Sequence, residues 1–559
     1  MKLMRPRKHA QWFILALELA IAVGLASLSV LPTPSSAQNA ATAASAPELP
    51  CTSTPVRKNA PPPASDPLKG QFDPFEGKLA ESSLPATLLR IDDATRESIL
   101  ASGLPCQESA SPNGQEKEGL ENLQRGFDFY SWRTFIALNS PADRTTPIEK
   151  AKPDTPTLWE HMGSFKQLAD VMLPKGQEAN WPTDELGMKD ERKRLMPEAC
   201  QAVIDAHKDD KEMSGRMVIK MIEESFNEPF KTGPLIDQNG RYAIFDILMN
   251  GRMFDYIKNN HLNTKDGQNN NSSLVVDFPV GLNSTPDTPK SDIGAFMLKV
   301  SWKILSAKEI QDQNFHMVKA LVLTPKAPQK CLPETLGLIG FHAVHKTASR
   351  PQWIWTSFEH VKNVPDKDEV ALKKVNGPYN FYDGKCSGCS VNATPPKPWN
   401  PDPSQSDLMF RPNDLSKKDS FRSQIVRETV QTDAAKHMNA IFQSMLKGTV
   451  WENYMLISTQ WPSNFSCTQL HLKGTPKPNP DFTKPGTDFA KQPDMTCSPA
   501  PTFMANSTLE TYSQGDSPIA ASSCIACHGN AVSFQKGASD LQPGKLNQSD
   551  FTFILEKAQ

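Results

Sequence analysis

The chain has no G-x-x-x-x-G-K-[ST] phosphate loop, no G-x-S-x-G nucleophile elbow and no H-E-x-x-H zinc-protease helix. Three widespread routes to nucleotide, acyl and peptide-bond chemistry therefore lack their usual residues. Positive charge is not in excess either: 60 Lys and Arg stand against 62 Asp and Glu, a net charge of −2 over 559 residues. A nucleic-acid groove needs clustered Lys and Arg to meet the phosphates, and no such clustering is present. No internal repeat is visible. After residue 31 no apolar run is long enough to suggest a membrane span.

What is present begins with a basic head, Lys2, Arg5, Arg7 and Lys8, followed by an apolar run from Trp12 to Leu31 and small residues at Ser35 and Ala37. This order reads as a secretory signal peptide over residues 1–37, cut after Ala37. An uncleaved anchor is the alternative, and Glu18 inside the run weighs against it. Export places the ten cysteines in an oxidising space, where those not used for chemistry tend to pair. Two belong to one motif, described below. Cys51, Cys106, Cys200, Cys331, Cys386, Cys389, Cys467 and Cys497 remain, enough for four bridges. Cys467 with Cys497 is the expected neighbour pair, and spacing does not decide the others.

Residues 38–70 are rich in Ala, Pro, Ser and Thr and are expected to form a flexible leader, with order beginning near Phe72. An α+β body is expected over 71–500 and a terminal segment over 501–559. Leu120, Leu123, Phe127, Trp132, Phe135 and Ile136 predict a buried helix over Gly119 to Leu138. A second helix is predicted over Leu158 to Met172 and a third over Phe421 to Leu446. The Asn239–Gly240 pair between apolar runs predicts a hairpin. Phe296 to Ile304 alternates Phe296, Leu298, Val300, Trp302 and Ile304 with Met297, Lys299, Ser301 and Lys303, which predicts a half-buried strand. Further strands are expected at Phe315 to Thr324, Leu336 to His345, Gln352 to Glu359 and Val450 to Trp461. Short connections between them favour an antiparallel sheet with surrounding helices. Asn263 to Ser273, Asn392 to Asp419 and Gly474 to Pro493 read as loops.

The stretch ASSCIACHGN places Cys524, Cys527 and His528 in the order C-x-x-C-H. Two thiols at this spacing can add across the vinyl groups of a haem while the adjacent His supplies an iron ligand from the same turn. The motif predicts one covalent haem c, with Cys524 and Cys527 attaching it and His528 as proximal ligand. Alternatively the thiols form a small disulfide loop, or the motif is half of another metal site. Cys386 and Cys389 also make a C-x-x-C, but Ser390 stands where haem attachment needs His, and structural bridges are the simpler reading.

Through Cys524, Cys527 and His528 the chain resembles c-type cytochromes. Small members of that family place a Met ligand after the His, whereas residues 529–559 contain neither Met nor His. A second ligand has to come from upstream or be absent, and the pocket has to be supplied by the body. Met504 is the first candidate, with Met495, His437 and His471 behind it. The stretches YSWRTFIALNSP, GFHAVHKTASRPQWIWTSFEHVKNVP and NYMLISTQWP are similar to those of long bacterial exported proteins of the cytochrome c family. That resemblance implies haem and a periplasmic location but no particular reaction.

His342, His345 and His360 lie in the predicted strands. On a strand, His342 and His345 point to opposite faces. They are expected to be structural, with the sharper possibility that one of them faces the haem or a substrate pocket. Three functions stay open. One is one-electron transfer to a periplasmic redox partner protein. Another is a haem enzyme of peroxidase or oxygenase type with an open iron. The last is a binding or scaffold protein with an accessory haem.

Overall fold

The computed structural model describes residues 49–52, 93–108, 119–221, 229, 232–271, 274–284, 290–324, 328–375, 377–385, 390–395, 421–429, 431–462, 499–514, 523–535 and 547–559. The expected signal peptide, the expected onset of order near Phe72, the expected 474–493 loop, the expected Cys467–Cys497 pair, Cys386, Cys389, Met495 and His471 all lie outside them.

A sheet organises the described residues. Its strands are β1 (Phe165–Gln167), β2 (Met217–Lys220), β3 (Ile244–Asn250), β4 (Phe296–Ile304), β5 (Met317–Leu323), β6 (Cys331–Thr347), β7 (Arg350–His360), β8 (Tyr454–Pro462) and β9 (Pro499–Ala500). The order is β1-β3-β4-β6-β7-β8-β9, and β5 also pairs with the first part of β6. All of these pairings are antiparallel; the exception is β2, which lies parallel to β5. The fold is therefore α+β with a predominantly antiparallel sheet, as the short connections predict.

One face of the sheet is covered by the helices Gly119–Asn139 and Asp433–Met445. Trp132 and Phe442 stack with centroids 4.9 Å apart, and Phe135 stacks on Phe358 of β7 at 4.1 Å. Both helices meet Leu298 and Val300 of β4 and Phe341 and Ala343 of β6 in one apolar core. Each fully buried side chain of this size stabilises the fold by about 1.5–3 kcal/mol. The opposite face is covered by the helix Gly251–Asn259, whose N-terminus is capped by Asn250 Oδ1 accepting from Met253 N at 3.2 Å, and by late segments of the chain. There Met297, Val344, Trp353 and Trp355 pack with Met504, Ile525, Phe551, Ile554 and Leu555.

Several expectations are corrected. Leu158 to Met172 is not a helix. A capping box at Thr157 and Glu160 starts one 3-10 turn, Leu168–Asp170 forms another, and Phe165–Gln167 between them pairs with β3. An available edge strand overrides apolar spacing that suits a helix. Phe421 to Leu446 is helical only from Asp433, because Thr432 caps that helix through Ala435 N at 3.1 Å while Arg427 is held in extended chain by Glu359 and Asp366. The 263–273 loop contains a helical turn, Lys265–Asn270. The Asn239–Gly240 turn forms, closed by a single antiparallel bridge between Ile236 and Tyr242. β4 is covered on both faces, not half-buried. Within the expected leader, Leu49 is buried and Cys51 is bonded to Cys106; Cys200 is bonded to Cys331.

His345 and His360 are enclosed as neutral rings. His345 accepts from Tyr130 Oη at Nδ1 and donates from Nε2 to Ile293 O at 2.5 Å. His360 donates from Nε2 to Asn314 O at 3.0 Å and accepts Lys362 N at 3.1 Å. Burial pushes both down to about 4. An imidazole lowered in this way stabilises the fold fully above its unfolded value of about 6.5, and the contribution is lost as pH falls through about 4. Urea unfolding of the wild type and of His360→Asn between pH 7 and 4 checks this: the variant loses less stability on acidification.

Candidate haem-attachment site

The C-x-x-C-H residues form a short helix, Cys524–His528, whose first turn is capped by Ser523 Oγ accepting from Ala526 N. With Cys524 and Cys527 three apart, both thiols lie on one side of the turn. Ile525 points the other way, fully buried, into the core that holds Trp355 and Met504. The turn is fixed to the sheet by Gln460 of β8, whose Oε1 accepts Ile525 N at 2.9 Å while its Nε2 donates to Pro501 O at 2.8 Å. One glutamine thus joins the motif and the 499–514 segment to the same strand.

His528 is oriented by the chain that follows it. Its Nδ1 lies 2.8 Å from Phe551 O, so Nδ1 carries the proton and Nε2 keeps its lone pair. The ring lies between Trp355, centroid 4.4 Å away, and Phe553, 5.0 Å away. Burial lowers its pKa to about 4, against the bond to Phe551, so the imidazole is neutral at pH 7. A hydrogen bond from Nδ1 to a carbonyl is the arrangement that sets tautomer and ring orientation for a metal-ligating histidine.

Cys524 and Cys527 are free, while the other four described cysteines are paired. Burial, assisted by the charge of Glu510, pushes the Cys524 thiol well up and that of Cys527 to about 12. A thioredoxin-like pair needs a lowered thiol pKa, and these shifts run in the opposite direction. Among the described residues no group of three His, Cys, Asp or Glu side chains is placed to hold a metal ion. A tetrahedral zinc site built on the motif would therefore lack its remaining ligands among the described residues. Two neutral thiols on one turn, a neutral histidine with Nε2 free and an apolar surround do fit a covalently attached haem.

Beside the motif, the sheet face presents cross-strand rungs. Met297, Val344, Trp355 and Gln460 form the rung under the motif helix. Lys299, His342 and Ser357 form the next, and Ser301, Gly340 and Glu359 the one after. The segment 506–510 lies on these two. Lys299 Nζ donates to Leu509 O at 3.2 Å, His342 Nε2 donates to Glu510 Oε1 at 2.9 Å, and Asn506 Nδ2 donates to Ser357 Oγ at 3.1 Å. Glu359, held by Arg427 through two bonds, accepts from Ser507 N and Oγ at 2.6 Å each. Gly340 is required by this close approach. A Cβ there would stand 2.3 Å from Thr508 Oγ1 and 2.4 Å from Ser301 Oγ.

Of the residues singled out from sequence, the structure brings Cys524, Cys527, His528, Met504 and His342 to one face of the sheet. Met504 is buried in the same core as Ile525. His437 lies on the helix Asp433–Met445, which covers the opposite face. His345 faces that side through Tyr130, and His360 stacks on Phe315. Sequence reasoning missed Glu510, Gln460, Phe551 and Trp355. Lys299 was visible as a polar position of β4, a signal that this face meets polar partners.

No family model, curated protein or solved structure matches the chain. No helix among the described residues is long and apolar enough to cross a membrane.

Gly340→Ala forces the 506–510 segment away from the sheet and is expected to cost about 1–3 kcal/mol, the range for overpacking a filled site. Denaturant unfolding with the m-value checked measures it.

Proposed function

We propose that Cys524 and Cys527 carry one covalently attached haem c, that His528 ligates its iron through Nε2, and that the protein transfers single electrons to a partner protein in the periplasm. The observation that carries this reading is the bond from His528 Nδ1 to Phe551 O beside two unpaired thiols on the same helical turn. When bound, the haem supplies a reversible one-electron change at iron, with a potential set by axial ligands, burial and nearby charge.

The chain's own contributions follow from the geometry. Phe551 O holds the imidazole in the tautomer that leaves Nε2 available, and Trp355 and Phe553 restrict the ring and shield it from water. Gln460 locks the turn against β8. Met504, on the segment that Gln460 also grips, is our candidate second ligand. The two disulfides support an oxidising compartment, in keeping with the N-terminal leader.

A haem enzyme with an open iron is the second reading, and the hydrogen-bonded pair His342–Glu510 beside the motif favours it. Such a pair can move a proton to or from a bound reactant.

Expression in a host with cytochrome c maturation is expected to give a protein whose intact mass exceeds the polypeptide mass by one haem. The increment should be lost in the double variant Cys524→Ala/Cys527→Ala. No increment in the wild type contradicts the reading. Carbon monoxide added to the reduced protein then separates the two functions: an unchanged Soret band means two protein ligands and electron transfer, and rapid binding means an open iron and favours the enzyme.

A further inference from the structure

We infer that the His342–Glu510 pair is a redox-linked proton site, so that an electron entering at the motif is accompanied by a proton taken up at His342. This rests on the haem reading above and adds to it what moves with the electron.

The pair is built into the fold. His342 is mostly buried on β6, and Glu510 reaches it from the segment 506–510 with carboxylate oxygens 2.9 and 3.1 Å from Nε2. The carboxylate also accepts Asn506 N at 3.0 Å. Because Glu510 is an acceptor, the imidazole donates from Nε2 and its basic lone pair is at Nδ1. Protonation at Nδ1 gives an imidazolium that already has its counter-ion. His342 and the carboxylate are therefore set up to hold a proton with little rearrangement.

Position links the pair to the motif. His342 lies one rung from Trp355, on which the His528 ring packs. Glu510 and Lys299 are close enough for their charges to act on Cys524, Cys527 and His528, and the charge of His342 acts on His528. The charged and titratable groups that face this site are Lys299 on β4, Glu510 on the 506–510 segment, the motif residues Cys524, Cys527 and His528, and Glu556, which acts on Cys527 from the C-terminal segment. His345 is on the other face of β6 and Glu359 is neutralised by Arg427, so neither competes.

With haem bound, a one-electron donor, a reduced haem protein or dithionite in the assay, would lose one electron and the haem would supply the acceptor for it. One proton from solvent adds to His342 Nδ1, so the site's net charge does not change. The added negative charge attracts the proton, and a coupling on the order of tenfold makes the reduced site bind it more tightly than the oxidised site. The midpoint potential therefore falls as pH rises and the proton is lost.

Spectroelectrochemical titration of the haem-loaded protein from pH 5 to 9 tests this. The limiting slope is a tenfold change in equilibrium constant per pH unit, about 59 mV for one electron. A tenfold coupling limits the total fall to about 59 mV, so the wild type is expected to show a falling segment of about half the limiting slope. His342→Gln is expected to flatten that segment, and Glu510→Gln to move it to lower pH, because the imidazolium loses its counter-ion. A slope that persists unchanged in His342→Gln assigns the proton elsewhere, to the haem propionates for instance, and overturns the inference while leaving the haem reading intact. Absence of haem overturns both. Should either variant fail to fold, redox-difference infrared spectra of the wild type in H2O and D2O decide: imidazolium bands that appear on reduction, which an iron-bound His528 does not give, support the site, and their absence overturns it.

Discussion

The constraint on which this structure depends is that one face of the sheet carries polar side chains where a covering helix would leave them unpaired. Lys299, Ser301, His342, Ser357, Glu359 and Gln460 all point to that face. Burying such groups without partners costs on the order of a few kcal/mol each. Irregular chain covers them instead, and its backbone and short side chains supply the missing donors and acceptors: Leu509 O, Glu510, Asn506, Ser507, Thr508 and Pro501 O. The late segments are thus docked by hydrogen bonding as much as by apolar packing, and the motif helix is carried to a defined place on the sheet.

This arrangement explains how so short a motif helix can be held in a fixed geometry. Cys524–His528 alone is too short to be stable as a helix. Its order comes from Ile525 in the second core, from Gln460 beneath it and from Phe551 beyond it. Lys346 ties the same terminal region down through Asp550 and Asp277, and Asp550 Oδ2 also accepts Phe278 N at 2.8 Å. The opposite face is packed differently. There the aromatic packing of Trp132, Phe135, Phe358 and Phe442 forms an apolar core, and the buried polar groups at its margin pair with the covering helices: Ser131 with Thr356 and Thr459, Gln124 with Thr459 O and Asp128, and Trp132 with Asn439. One sheet therefore separates a face packed by long helices from a face packed by late, irregular segments that carry the motif.

Much of the sheet was legible in the sequence. The alternation in Phe296 to Ile304 and the apolar runs in β6 and β7 marked central strands, and the aromatic spacing of Gly119–Asn139 marked its helix. The motif declared itself through residue type and spacing. Where reading failed, the reasons are tertiary. Leu158 to Met172 has helical spacing, but an open strand edge captures Phe165–Gln167. Phe421 to Thr429 stays extended because Arg427 is taken up by Glu359 from another element. Glu510 and His342 are 168 residues apart, and no local pattern announces their bond. The opposite orientations of His342 and His345 did follow from strand periodicity; which of the two would face the motif did not.

The account's central claim is that His528 is a preset iron ligand beside two thiols destined for thioether bonds. A crystal structure of the protein matured with haem tests it most directly. The account predicts thioether density at both Cys524 and Cys527, iron bound at His528 Nε2, and the Nδ1 bond to Phe551 O kept in place. A Cys524–Cys527 disulfide, or a His528 ring turned away from the porphyrin, would contradict it.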